Sequence, residues 1–196
     1  MEWNGKRWIS YGPWLGAPRE QRFFTSRRIL VKQIIDWTER RIWAALTDEE
    51  LYNSQNAFNI LSRNGYELEY LLGILNSKLM TYYHRKQYLD EFKMRFQKIL
   101  IKDCRRLPIR EIDEASKPER KLRSDLIVTV KRYISLQHEA ADTRATHELM
   151  VIERQLTYAD QDIDKTVYEL YGLDKGEIEV VESAFMVPEK EKTAAR

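Results

Sequence analysis

The stretch Tyr70-Leu-Leu-Gly-Ile-Leu-Asn-Ser-Lys-Leu-Met-Thr-Tyr-Tyr-His84 and the later stretch Phe96-Gln-Lys-Ile-Leu-Ile-Lys-Asp-Cys-Arg-Arg-Leu-Pro-Ile109 carry most of the information on the fold. Around the first stretch, large apolar side chains recur at spacings of three and four, the spacing of one helix face. We therefore predict a single helix that covers a sheet, with a stripe of Leu68, Leu71, Leu72, Leu75, Leu79 and Tyr82. The second stretch predicts a short strand closed by Leu-Pro-Ile.

Three further segments have the composition of strands. Residues 28–34 are rich in β-branched residues, and in residues 41–46 Ile42, Ala44 and Leu46 alternate toward one face. Residues 54–61 form a third candidate, which stops at the turn signal Ser62-Arg-Asn-Gly65. These elements predict an α/β (α+β) fold with a small mixed sheet and a covering helix, followed by a C-terminal helical hairpin.

The hairpin is predicted because residues 119–171 contain neither Gly nor Pro and have apolar residues at coiled-coil spacing. Gly172 is placed to end its second helix, and Asp174 with Glu177 has capping-box spacing. We predict an α/β unit at residues 1–113, a helical extension at 114–185 and a disordered tail at 186–196. The seam residues are Leu122, Leu126, Val130, Ile134 and Ala141 on the first helix, and Leu149, Ile152, Leu156, Ala159, Ile163, Thr166 and Leu170 on the second.

Composition limits the possible classes of protein. With 196 residues, 43% of them hydrophobic, the chain can bury a core of one domain or one domain with an appendage. No apolar run approaches the roughly 20 residues that span a bilayer, and no secretory signal is present. The single cysteine, Cys104, excludes an internal disulfide and fits a reducing compartment. We expect a cytoplasmic protein without a membrane partner.

Charge is divided unevenly along the chain. Residues 1–113 contain 20 Lys and Arg against 14 Asp and Glu, a net charge of +6, whereas residues 114–196 contain 13 against 17, a net charge of −4. A positive surface attracts phosphate backbones through counterion release, and an acidic helical part is repelled by them. The asymmetry favours the first half as the part that contacts nucleic acid.

Four sequence elements follow one another in a characteristic order: Leu15-Gly-Ala-Pro-Arg19, the helix with Asn76-Ser-Lys-Leu79, the segment ending in Leu107-Pro-Ile109, and Ile163-Asp-Lys-Thr-Val-Tyr-Glu-Leu-Tyr-Gly-Leu173. In this order they resemble the TaqI-like C-terminal specificity domain. The resemblance implies the double-stranded-DNA-reading part of a bacterial restriction-modification enzyme of type IIG, in which target recognition is fused to an adenine methyltransferase. It also implies that S-adenosylmethionine, and Mg²⁺ where a nuclease is present, bind the catalytic segment of the parent enzyme and not this chain.

Motifs for catalysis are missing from the sequence. The chain has no Pro-Pro pair for an Asn-Pro-Pro-Tyr motif, no Gly-x-x-x-x-Gly-Lys phosphate loop and no His-Glu-x-x-His zinc helix. Asp160, Asp162 and Asp164 alternate along a predicted helix, so successive carboxylates point about 200° apart and share no metal face. We therefore expect a chain that is not an enzyme and has no metal or cofactor site.

Candidate contacts to DNA come from two patterns. Basic residues interleave with aromatic residues, and arginine can bind phosphate or guanine with two hydrogen bonds. Asn53-Ser-Gln-Asn56 supplies carboxamides, which can pair with adenine in the major groove. The candidate DNA-binding residues are Arg19, Arg22, Arg27, Arg28, Arg40, Arg41, Asn53, Gln55, Asn56, Arg85, Lys86, Lys93, Arg95 and Lys98.

Other interpretations of the same features stay open at this point. The basic residues are also typical of a solvated surface, and the Asn53 to Asn56 segment is also typical of a polar turn before a strand. The hairpin seam can join two chains, which would make the chain a protein-interaction module. An RNA-binding domain would account for the interleaved aromatics, but not for the ordered resemblance.

Overall fold

A computed structural model of the chain describes residues 10–35, 41–63, 65–89 and 97–186. Three strands and seven helices lie in these ranges, so the predicted α/β class and the three strands predicted in residues 28–61 are confirmed. In chain order the elements are α1 (Arg22–Thr25), β1 (Arg28–Lys32), β2 (Ala44–Thr47), β3 (Ala57–Leu61), α2 (Leu68–Asn76), α3 (Lys78–Tyr88), α4 (Ile101–Cys104), α5 (Lys117–Asp142), α6 (Thr146–Tyr171) and α7 (Lys175–Ser183).

The three strands form one sheet in the order β2-β1-β3, and β1 is antiparallel to both neighbours. Ile29 lies opposite Leu46 and Ile60, and these side chains share one face because side chains alternate along a strand. Ile29 and Val31 are fully buried in the core cluster beneath α2. The other face of β1 carries Arg28, Leu30 and Lys32, which alternate with these two residues.

One predicted helix is in fact two. Ser77 has an extended backbone with ψ 152°, so α2 ends at Asn76 and α3 begins at Lys78. The Ser77 hydroxyl donates to Ile74 O at 2.7 Å and accepts from Met80 N at 3.2 Å. Serine at this position caps the second helix and satisfies a backbone amide that would otherwise have no acceptor. The apolar spacing persists through the break, which is why the prediction of a single helix was wrong.

The predicted strand in residues 96–109 is reduced to a short pairing. Ile35 N donates to Gln97 O, and Ile99 N donates to Gln33 O, both at 2.9 Å. Beyond Ile99 the chain turns into α4, so the prediction of a strand closed by Leu-Pro-Ile was wrong. Phe96 lies outside the described residues.

The predicted hairpin forms within the chain. Residues 143–145 connect α5 and α6, and seam residues such as Leu126 and Ile163 are buried. Gly172, at φ 70°, ends α6 in the left-handed conformation, and Asp174 and Glu177 form the predicted capping box before α7. Residues of the hairpin belong to the same hydrophobic cluster as the sheet and α2, so the helical extension and the α/β unit share a core.

In the described ranges, no helix combines the length and the hydropathy that crossing a bilayer requires. The predicted tail, apart from Met186, lies outside the described residues.

Candidate nucleic-acid interface

Backbone hydrogen bonds bring four chain segments together at the end of the sheet where β1 ends and β2 and β3 begin. Lys32 N donates to Trp43 O at 2.9 Å, and Gln33 N donates to Asn56 O at 2.8 Å. The segment after α3 joins them, because Ile99 N donates to Gln33 O at 2.9 Å. We call this end the β1-exit surface and define it by five exposed residues: Lys32, Trp43, Gln55, Asn56 and Lys98.

The side chains of the β1-exit surface are of the types that bind phosphate groups and the hydrogen-bonding edges of bases. Lys32 and Lys98 are compact, mobile positive charges, and none of the five defining residues is acidic. Gln55 and Asn56 each present a donor and an acceptor in one plane. Trp43 is 45% exposed and adds a flat aromatic face. Lysine can contact phosphate, a carboxamide can pair with adenine, and an aromatic ring can pack on a base or a sugar.

Sequence reasoning found part of this surface. Gln55, Asn56 and Lys98 were among the candidates, and the fold brings them to one end of the sheet. Lys32 and Trp43 were missed. Their signal was available in strand alternation, because Lys32 follows the buried Val31 and Trp43 stands between Ile42 and Ala44, both of which face the core side. At 45% exposure, Trp43 does not pack in the core.

Arg28 does not lie on the surface. Its side chain is fully buried, and its guanidinium donates to three backbone carbonyls, those of Ser26 at 2.9 Å, Glu49 at 3.0 Å and Leu51 at 2.9 Å. The segment after β2 crosses from the Thr47 end of the sheet to the Ala57 end, and Arg28 anchors it on the face opposite α2. This burial conflicts with the predicted DNA contact, and we remove Arg28 from the candidate set.

Arg41 is also engaged inside the protein. Its Nη1 donates to Asp160 Oδ2 at 2.6 Å, its Nη2 to Asp164 Oδ1 at 3.2 Å, and its Nε to Asn76 O at 3.0 Å. Burial lowers the pKa of Arg41, but the charges of Asp164 and Asp160 outweigh this effect and leave the pKa above its ordinary value. Because the Arg41 guanidinium is paired with both Asp160 and Asp164, this geometry contradicts the predicted DNA contact of Arg41.

Lys78 completes this partly buried group, which we call the Arg41 cluster: Arg41, Lys78, Asp160, Asp164 and Glu182. Lys78 N donates to Asp164 Oδ1 at 2.8 Å, and its ammonium lies 2.7 Å from Glu182 Oε2. Burial raises the pKa of the Asp164 carboxyl to about 6, against the opposing charges of Arg41 and Lys78. At neutral pH the carboxyl is therefore mostly ionised, and the cluster is held by ion pairs.

Asn76 fastens the outer strand of the sheet. Its Oδ1 accepts from Ala44 N at 2.8 Å, and its Nδ2 donates to Ala44 O at 2.9 Å. Next to it, the Thr81 hydroxyl accepts from Ile42 N at 3.1 Å. The Asn76-Ser-Lys segment thus has a structural role, since one residue pins β2, the next caps α3 and the third binds α6 and α7.

The remaining candidates lie elsewhere. Asn53 donates to Ala57 O at 2.8 Å and forms the turn before β3. Arg22 and Arg27 lie before β1, at the opposite end of that strand, and pair with Glu20 at 2.7 Å and Glu69 at 2.8 Å.

Three candidates are described but stand apart from the β1-exit surface. The backbone N–H of Arg19 donates to the Tyr11 hydroxyl. On the last turn of α3, Arg85 contacts Ala184 O at 3.3 Å, and Lys86 is exposed. The other predicted contacts, Arg40, Lys93 and Arg95, lie outside the described residues.

The sequence of this chain matches a known protein family. The family model of the TaqI-like C-terminal specificity domain matches residues 1–109, more than half of the chain. The chain belongs to this family. The specificity-domain match covers the sheet, α2, α3, α4 and the whole β1-exit surface, whereas the resembling segment at residues 163–173 lies beyond it.

The fold is also similar to part of a solved structure, that of the type IIL restriction-modification enzyme MmeI in complex with DNA. The sequences are 15% identical, the TM-score is 0.55, and the similarity covers 82% of this chain. That share exceeds the family match, so it includes some of the helical half. The chain spans 20% of the MmeI chain. No curated protein matches the sequence.

Within residues 10–35, 41–63, 65–89 and 97–186, no three His, Cys, Asp or Glu side chains converge in a geometry suited to a metal ion.

Proposed function

We propose that this chain recognises a DNA sequence as the specificity part of a bacterial restriction-modification enzyme. Methyl transfer, with S-adenosylmethionine, and any Mg²⁺-dependent cleavage then belong to another segment of the parent enzyme. Family membership and the fold shared with MmeI support this proposal. The observation that carries it is the convergence of two lysines and two carboxamides on the β1-exit surface.

The proposed mechanism is binding in two parts. Lys32 and Lys98 contact phosphates and set the position of the domain on the duplex, a contribution that does not depend on sequence. Gln55 and Asn56 reach base edges, where each paired contact to adenine contributes about 1–3 kcal/mol of discrimination. The segments that carry the two types of contact are joined by backbone hydrogen bonds, so phosphate contacts also fix the register of the reading side chains.

The phosphate part is tested by removing Lys32 and Lys98 together. Each phosphate contact contributes a slope of about −0.9 to the dependence of log K on log salt concentration, so the K32A/K98A variant should lose about two units of slope. The measurement is fluorescence anisotropy with a 30-base-pair duplex pool at several salt concentrations. The matched control is K165A/K175A, which removes the same charge from exposed lysines of α6 and α7.

Equal salt slopes for the two double variants would refute the assignment of phosphate contacts to the β1-exit surface.

Base reading by Gln55 and Asn56 is tested by selecting bound duplexes from a pool with a randomised central segment. The wild-type chain should enrich one sequence, and N56A should relax the preference at one position while binding the unselected pool as before. If the wild-type chain enriches nothing, the proposed function is wrong.

A further inference from the structure

The Arg41 cluster is joined to the β1-exit surface through residues 41–43. Arg41 precedes Trp43 by two residues, and Trp43 O accepts the hydrogen bond from Lys32 N at 2.9 Å. The next residue of β1's exit, Gln33, bonds to Asn56 O at 2.8 Å. An unbroken path of hydrogen bonds and backbone therefore joins the arginine to the carboxamide proposed to read a base.

The ion pairs are discrete links between distant parts of the chain. A groove with a volume of about 530 Å³ separates β2 from α5 and α6, and both Arg41 and Asp160 line it. The Arg41 guanidinium spans this gap to reach carboxylates 119 and 123 residues later in sequence. Asp160 and Asp164 are four residues apart on α6, so they present both carboxylates to one guanidinium.

We propose that Asp160 and Asp164 are positioning residues for sequence recognition, holding the start of β2 through Arg41. The inference rests on the proposed function of the β1-exit surface. Neither carboxylate touches DNA in this proposal. They set where Trp43 and, through the cross-strand bonds, Lys32 and Asn56 stand when the domain meets a duplex. The helical half of the chain thus takes part in specificity without entering the interface.

Asp160 is the practical position for a test, because its side chain is 34% exposed whereas that of Asp164 is 3% exposed. The D160N variant keeps the shape and removes one of the two carboxylate charges that hold Arg41. The matched control is D162N, the same substitution at an exposed position on the same helix. Asp162 points about 200° away from Asp160 around the helix axis.

The readout is a ratio of dissociation constants, that for a duplex with one mismatched base pair over that for the duplex enriched by the wild-type chain. We expect D160N to lower this ratio about tenfold, within the discrimination of one paired base contact. D162N should leave the ratio unchanged. The salt slope of D162N should stay at the wild-type value, because that position contacts no phosphate in this proposal.

A merely structural role predicts a different result. Loss of folded protein weakens binding to both duplexes equally and leaves the ratio unchanged, so an unchanged ratio for D160N overturns the inference. If D160N does not fold, R41K makes the same test, since lysine keeps the charge and loses the two-carboxylate geometry. If the wild-type chain discriminates between the two duplexes, and D160N and R41K have the same ratio of dissociation constants as wild type, this inference alone is refuted. A wild-type chain that enriches no sequence refutes the proposed function and this inference with it.

Discussion

Gly73 of α2 packs against Leu126 and Val130 of α5, and replacing it with alanine probes how the two halves are joined. A Cβ added at Gly73 would lie 2.9 Å from Leu126 Cδ1 and 2.9 Å from Val130 Cγ2. Both neighbours are at most 2% exposed, and Leu126 is fully buried, so an added methyl group must displace packed side chains. Close-packed cores resist even one added methyl group.

Two opposing effects set the size of the change. Alanine is favoured over glycine inside a helix by about 1 kcal/mol. Forcing a methyl group into a packed site costs about 1–3 kcal/mol. We expect G73A to destabilise the fold by about 1 kcal/mol. The G176A variant is the matched control, since Gly176 is exposed on α7 and its nearest contact to an added Cβ is 3.4 Å. It should stabilise the protein by about 0.4–1 kcal/mol.

Urea unfolding followed by circular dichroism measures both variants. The difference between them estimates the overpacking cost, about 2 kcal/mol, because both variants replace a helical glycine with alanine. A V130A change opens space beside the added methyl group, so the G73A/V130A double variant should be more stable than the sum of the two single changes predicts. If G73A stabilises as much as G176A, the close packing of α2 on α5 is refuted.

Two further predictions concern the core. Burial lowers the pKa of His84 to about 4, against the opposing charge of Asp103, so its folded-state pKa lies below the unfolded value of 6.5. The neutral imidazole therefore contributes stability that is present above pH 6.5 and is lost as the pH falls toward 4, about 3 kcal/mol in all. Because H84L has no imidazole to protonate, it should unfold at a lower pH than wild type. An acid titration followed by tryptophan fluorescence measures this difference. Replacing Leu156 and Ile163 together with alanine should cost several kcal/mol, since truncating the buried Ile163 costs about 2–5 kcal/mol and the half-buried Leu156 adds a smaller amount. Light scattering should show the same oligomeric state for that variant and wild type, and a dimer that dissociates would contradict the packing of the seam within one chain.

Periodicity predicted the elements that bury a regular face, and it failed where one residue changes the backbone. The seam of α5 and α6 was predicted because its buried residues, among them Leu126, Val130 and Ile163, recur at coiled-coil spacing, although Ala141 at the end of the predicted seam is exposed. The break at Ser77 was not, since Leu75 and Leu79 keep helical spacing on both sides of it. From sequence, a serine within an apolar run can lie inside one continuous helix or cap the start of a second one. Only its contact with Met80 N shows that Ser77 is a cap.

The candidate site shows the same division between local and distant information. Gln55 and Asn56 were found because a turn before a strand is a local signal. The role of Arg41 was missed because its partners are more than a hundred residues away in sequence. The aspartates of α6 were judged as neighbours alternating around the helix, whereas the pair that matters, Asp160 and Asp164, is four residues apart and shares a face.

Net charge in the first half is therefore a poor measure of what can meet DNA. Arg28 and Arg41 belong to the basic excess of residues 1–113, yet both guanidiniums bind groups of the protein itself. Arginine suits these internal roles because its planar fork bonds several acceptors at once. The lysines at positions 32 and 98 remain exposed, as does the aromatic face of Trp43. These arginines thus fasten segments of the protein, whereas the two lysines present mobile charge on the β1-exit surface. Comparing K32A/K98A with K165A/K175A therefore tests the proposed function more directly than the net charge of residues 1–113 does.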